Sequence, residues 1–82
     1  MKNDNLNKLY DLLSKLLEID IKTITDETSP ENTVTWDSFN GLLMVSELEE
    51  LFSINFSIEE VYAVTCVKDI RDVLIRHKVS FE

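Results

Sequence analysis

Ser38 is the residue with the most to offer chemically, because Asp37 precedes it and an apolar, acidic segment follows it as far as Phe52. A primary hydroxyl is a weak nucleophile unless a base stands beside it. As an attachment point it is better placed. The free N–H groups and positive dipole end of a helix favour a phosphodiester there. A catalytic serine would need an imidazole within hydrogen-bond reach, and the one histidine, His77, reads instead as a favourable charge at the end of the last helix. Cys66 is alone, so it forms neither an internal disulfide nor a zinc cluster, and it reads as a small half-buried residue. Asp20, Asp26, Glu27 and Glu31 lack the spacing and glycine of a calcium-binding loop. No active site emerges. The set suits a serine that another enzyme modifies.

The elements that must position Ser38 are helical. Leu6, Leu9, Leu13, Leu16 and Leu17 recur at three- and four-residue spacing and predict a first helix from residue 4 or 5 to about 18, capped by Asn3 or Asp4. Asp20 to Trp36 reads as a long loop pinned to the core through Ile21, Ile24 and Val34, with one short turn at Ser29-Pro30-Glu31. A second helix follows from about Ser38 to Phe52. Asp37 is its N-cap, accepting the N–H of Phe39 or Asn40, and Met44, Val45, Leu48 and Phe52 form its inward stripe. Phe39, Leu42, Leu43 and Leu51 widen the apolar surface beyond what one buried face needs. Ser57-Ile58-Glu59-Glu60 is a capping box that opens a short helix to about Val64. Thr65 then caps a final helix over Val67 to His77, with Ile70, Val73 and Leu74 inward. The fold class expected is all-α, an irregular antiparallel four-helix bundle with a short third helix and a long first loop.

Composition narrows the class. A chain of 82 residues has room for one domain, residues 1–82, and one modest core. Apolar residues at 44% are too many for a disordered acidic tail, and single Gly and Pro residues disfavour hairpin-rich β folds. No apolar run of about 18 residues exists to span a membrane. The polar start, Met1-Lys2-Asn3-Asp4-Asn5, is no secretory signal, so a reduced cytoplasmic protein is expected. With 16 acidic against 8 basic residues the net charge is −8, which repels nucleic acid and suits partners with basic faces.

The succession of loop, Trp36-Asp37-Ser38-Phe39, a helix ending Glu49-Glu50-Leu51-Phe52, a capped short helix and a Val67-Lys68-Asp69-Ile70 helix resembles the acyl carrier proteins from Leu6 to about His77. The resemblance implies that Ser38 bears 4′-phosphopantetheine, donated by coenzyme A through a separate magnesium-dependent phosphopantetheinyl transferase. It implies a cargo held as a thioester on that arm and moved between enzymes, with no catalysis by the carrier itself. Asp37 would cap the helix and help the transferase dock. Phe39 stands where the family has Leu or Met at a partner contact, and Glu49 and Glu50 match the family's acidic pair for basic patches.

Four residues depart from that pattern. Leu43 and Leu51, then Ile58 and Tyr62, stand where acids are usual. They imply partner docking that is more apolar than charged, since a buried apolar side chain contributes about 1.5–3 kcal/mol against about 0–1 for an exposed ion pair. Trp36, where the family often has a small residue, points to carriers of dedicated or secondary-metabolic pathways. Expected partners are the transferase, an acyl- or aminoacyl-loading ligase, and downstream synthases or transferases of fatty-acid, polyketide or related pathways. The carrier is expected to be monomeric and free-standing. Residues Leu42, Met44, Val45 and Val64 permit a cargo cavity, although a filled core has the same composition. Aminoacyl, peptidyl or D-alanyl cargo is the alternative. A competing class is an unmodified acidic interaction module using the apolar strip of the second helix.

Overall fold

A computed structural model describes residues 4–81, which form four α-helices and no strand: α1 (Asn5–Leu17), α2 (Ser38–Phe52), α3 (Ile58–Ala63) and α4 (Val67–Arg76). The helix periods read from the sequence hold to within about a residue at each end. Leu9, Leu13 and Leu17 of α1, Met44 and Leu48 of α2, and Val67, Ile70, Val73 and Leu74 of α4 are fully enclosed. Val45 and Phe52 flank this core half-buried. The short α3 buries no residue completely. It depends on its capping box, in which Glu60 N–H donates to Ser57 Oγ at 3.1 Å and Ser57 N–H to Glu60 Oε1 at 2.9 Å.

The helix ends expose what residue types did not announce. Glu18, Ser53 and Lys78 all take the left-handed conformation, φ 57°, 56° and 69°, where glycine is the usual occupant. The N–H groups of Glu18 and Ser53 return to Ser14 and Glu49 carbonyls and so end α1 and α2. Asp4 occupies the N-cap position of α1 without a side-chain cap bond; its carbonyl accepts Lys8 N–H instead. The alternative cap, Asn3, lies outside the described residues. At the far end, Asn5 Nδ2 donates to Ser80 carbonyl and Phe81 meets the Phe52 ring edge-on at 6.5 Å, drawing the last residues across α1 and α2.

The long loop departs from expectation. Val34, read as an anchor, is 97% exposed, and Ile21 lies exposed in a single 3₁₀ turn, Ile21–Thr23. Ile24 and Trp36 do the anchoring, both within the core cluster. A turn closed by Asn32 N–H to Ser29 carbonyl forms where Ser29-Pro30-Glu31 predicted one.

Thr65 is not the cap of α4. Its N–H and hydroxyl both donate to Asp69 Oδ2, and Cys66 holds the N-cap position without a side-chain cap bond. The first amides of α4 go to the loop instead, Val67 N–H to Thr28 carbonyl at 2.9 Å and Lys68 N–H to Asp26 carbonyl at 3.1 Å. Orphan helix donors must find acceptors, and a neighbouring backbone serves as well as a capping side chain. Arg71 seals the junction with two hydrogen bonds to Asp26, at 2.6 and 3.0 Å.

Candidate functional site

The chain approaches Ser38 through a laced turn. Trp36 N–H donates to Thr33 carbonyl at 2.9 Å, and Asn40 Nδ2 donates back to Thr35 carbonyl at 2.8 Å. Asp37 then caps α2. Its Oδ1 accepts Asn40 N–H at 2.9 Å and its carbonyl accepts Gly41 N–H at 2.8 Å. Of the two amides the sequence offered for this cap, Asn40 is the one used. Ser38 follows as the first helical residue, exposed to solvent. The unpaired amides and positive dipole of a helix start favour an anion at that point.

Beside the hydroxyl opens a cleft of about 570 Å³ between α2 and α3, lined by Pro30, Trp36, Gly41, Leu42, Val45, Val61 and Val64 together with Asp37 and Ser38. Leu42, Val45 and Val64, three of the residues whose types permit a cavity, line this cleft. Met44 belongs to the closed core instead. Gly41 and Val61 also line the cleft, and Ser38, Gly41, Leu42 and Val45 follow the spacing of one helix face, the signal by which the sequence marks Gly41. Gly41 packs beside the indole of Trp36: an added Cβ would meet Trp36 Nε1 at 3.5 Å, an ordinary van der Waals contact.

Other candidates fall elsewhere. His77 ends α4, its Nε2 is 2.9 Å from Glu60 Oε1, and its ring stacks on Phe56. The imidazole therefore fastens α3 to α4. Its hydrogen bond holds the Glu60 carboxyl below the usual range, with Ser57 N–H assisting. Glu49 Oε2 accepts Phe56 N–H at 2.7 Å and so fixes the link between α2 and α3. Glu50 lines a separate groove between α1 and α2 with Lys8, Lys15, Glu47 and Leu51. Phe39, Leu42, Ile58 and Tyr62 are well exposed, at 73%, 65%, 71% and 80%, and Leu43 less so at 39%. Among the described residues no cluster of acids, Cys and His could hold a metal, and no helix is long and apolar enough to cross a membrane.

No family model matches the chain. Individual relatives do. It is 30% identical over 73 residues to an acyl carrier protein of Syntrophobacter fumaroxidans, covering 89% of this chain and 90% of that one. A second acyl carrier protein, from Rubrobacter xylanophilus, is 25% identical over 79 residues, 96% of this chain and 98% of the relative. Among solved structures, Rv0033 of Mycobacterium tuberculosis, assigned as an acyl carrier protein, superposes with a TM-score of 0.77 at 20% identity. That match covers 87% of this chain and 95% of the other, and it establishes the shared fold. The chain belongs to the acyl carrier protein family. It is a carrier protein and not an enzyme.

Proposed function

We propose that the chain, acting as one carrier domain over residues 1–82, bears 4′-phosphopantetheine on Ser38 Oγ and carries acyl intermediates between enzymes. The observation that carries this reading is the placement of an exposed serine at the first position of α2, capped by Asp37 and bordered by an apolar cleft. The residues present fit the group. The hydroxyl is open to an incoming transferase with coenzyme A, and the helix N-terminus favours the resulting phosphodiester. The cleft offers apolar walls along which an arm or a short cargo can lie. When bound, the arm supplies a terminal thiol that holds the cargo as an activated thioester and swings it between partners at high effective concentration.

The protein's own residues hold and present. Asp37 fixes the first turn of α2 and with it the backbone that carries Ser38. Trp36 anchors the loop that leads to it. Glu49 and the Glu60–His77 pair hold α3 in place across the cleft. Partners in this reading are a phosphopantetheinyl transferase, a loading ligase, and synthases or transferases of fatty-acid, polyketide or related secondary-metabolite assembly, in the cytoplasm.

Intact mass after incubation with coenzyme A, magnesium and a broad-specificity phosphopantetheinyl transferase tests the reading. The native chain is expected to gain one phosphopantetheine unit and Ser38→Ala none. A folded native chain that gains nothing would point to an unmodified interaction module instead.

A further inference from the structure

The cleft beside Ser38 holds a polar group that the fold leaves without a partner. Trp36 is only 5% exposed and belongs to the core cluster, yet its indole Nε1–H donates no hydrogen bond to any described residue. A buried indole N–H ordinarily finds an acceptor. This one is not sealed off either. Thr35 Oγ1 is the only enclosed side-chain polar atom without a partner among the described residues, so Nε1 keeps an opening to solvent. The Nε1–Cδ1 edge of the ring faces the Gly41 backbone, since a Cβ added there would meet those atoms at 3.5 and 3.8 Å. Gly41 and Trp36 both line the cleft, and the N–H opens there. The turn that carries the ring is laced on both sides, by Trp36 N–H to Thr33 carbonyl and by Asn40 Nδ2 to Thr35 carbonyl. The donor is therefore held in place before any ligand arrives, which lowers the cost of binding.

We infer that the Trp36 Nε1–H donates a hydrogen bond to a neutral carbonyl oxygen of the group attached at Ser38, and so seats that group in the cleft between α2 and α3. The inference rests on the reading of Ser38 as an attachment point and goes beyond it by naming the residue that receives what is attached. An N–H without a partner calls for an acceptor. Charge says which kind. Asp37 places a carboxylate at the same rim and no Lys or Arg lines the cleft, so a further anion inside it is disfavoured. The remaining walls, Leu42, Val45, Val61 and Val64, suit the methylene stretches on either side of a carbonyl. Apolar walls with one placed polar group fix the orientation of what enters. Tethering favours the arm as the source of the carbonyl. Gly41 follows Ser38 by three residues, about 4.5 Å along the axis of α2, so an amide of the arm reaches the donor before the cargo does. The cargo's own carbonyl is the other source of the same chemistry.

Heteronuclear NMR of the isotope-labelled chain provides the test, because a sole tryptophan gives a single indole N–H resonance. The chain is modified by a broad-specificity phosphopantetheinyl transferase with coenzyme A or with butyryl-coenzyme A, and intact mass establishes that each reaction is complete. The indole proton is expected to move downfield and its exchange with water to slow by about two- to tenfold, the worth of one hydrogen bond between neutral groups. The same change with both reagents assigns the acceptor to the arm, and a change with the butyryl form alone assigns it to the cargo. Ser38→Ala, incubated identically, is expected to show neither effect. Trp36→Phe keeps an aromatic anchor without the N–H. In that variant, checked for folding by circular dichroism, labelled carbonyls of the arm are expected to take the shifts they have in free coenzyme A. If the fully modified native chain leaves the indole proton unmoved and its exchange unchanged, Nε1–H is merely hydrated and the inference is wrong, although Ser38 is still a modification site. A native chain that takes no arm at all overturns both readings together.

Discussion

Asp26 and Arg71 lie 45 positions apart in sequence, yet they form the bridge that binds the long loop to α4. The guanidinium holds the Asp26 carboxyl below the usual range, through its hydrogen bonds first and its charge second. Thr65 does the same to Asp69, and His77 to Glu60. A carboxyl with a lowered pKa in the folded state contributes stability above its unfolded value, about 4, and loses it as pH falls through the folded one. Arg71→Met is therefore expected to cost about 1 kcal/mol at pH 7, the upper part of the range for a partly exposed pair with bidentate geometry. Urea unfolding at pH 7, 5 and 3 should show the gap between native and variant closing between the last two. A gap that does not change with pH would mean that the pair contributes no charge interaction. At this scale the sequence is legible only where partners are near neighbours. Asp37 and the Ser57–Glu60 box declare themselves within three residues, whereas nothing in the local sequence around Asp26 points to Arg71.

The helices carry a misplaced asset. The one glycine, Gly41, stands inside α2, while Ser53 takes the left-handed position at its end. Glycine costs about 0.5–1 kcal/mol relative to alanine inside a helix. A non-glycine residue in left-handed backbone costs a comparable amount, roughly 1 kcal/mol. Ser53→Gly is accordingly expected to stabilise the fold by about 0.5–1 kcal/mol, measured as a higher urea midpoint with an unchanged slope. Gly41→Ala should stabilise by about the same amount, because its Cβ meets the Trp36 indole at ordinary van der Waals distance. A loss of stability in Gly41→Ala would show that the indole already fills that space. The helices themselves were legible from their repeating leucines and valines, which periodicity reads directly. The loop was not. Val34 and Trp36 are both apolar and two residues apart, and without a regular backbone there is no period to say which turns inward. Thr65 failed as a cap for a related reason: the loop carbonyls that satisfy α4 come from residues some 40 positions away.

For the whole molecule, the acidic excess works against compactness. A net charge of −8 on 82 residues, with an uninterrupted acidic stretch from 23 to 67, adds self-repulsion that the folded state must outweigh. Salt screens it, the Debye length falling from about 30 Å at 0.01 M to about 8 Å at 0.15 M. The thermal midpoint is expected to rise with sodium chloride over that range by on the order of 5 °C, which corresponds to about 1 kcal/mol for a domain of this size. A falling midpoint would mean that the attractive pairs, Asp26–Arg71 among them, outweigh the repulsion.

Trp36 is the sole tryptophan, buried at 5% exposure, and its ring borders the cleft next to Ser38. The native chain's indole fluorescence thus comes from a single chromophore in the cleft between α2 and α3, where an arm or cargo on Ser38 would lie in the proposed reading. Whatever enters that space, or lifts α3 from it, alters the polarity around the ring and with it the colour of the emitted light. The single indole is thereby a built-in optical gauge of the cleft beside Ser38, readable without a label.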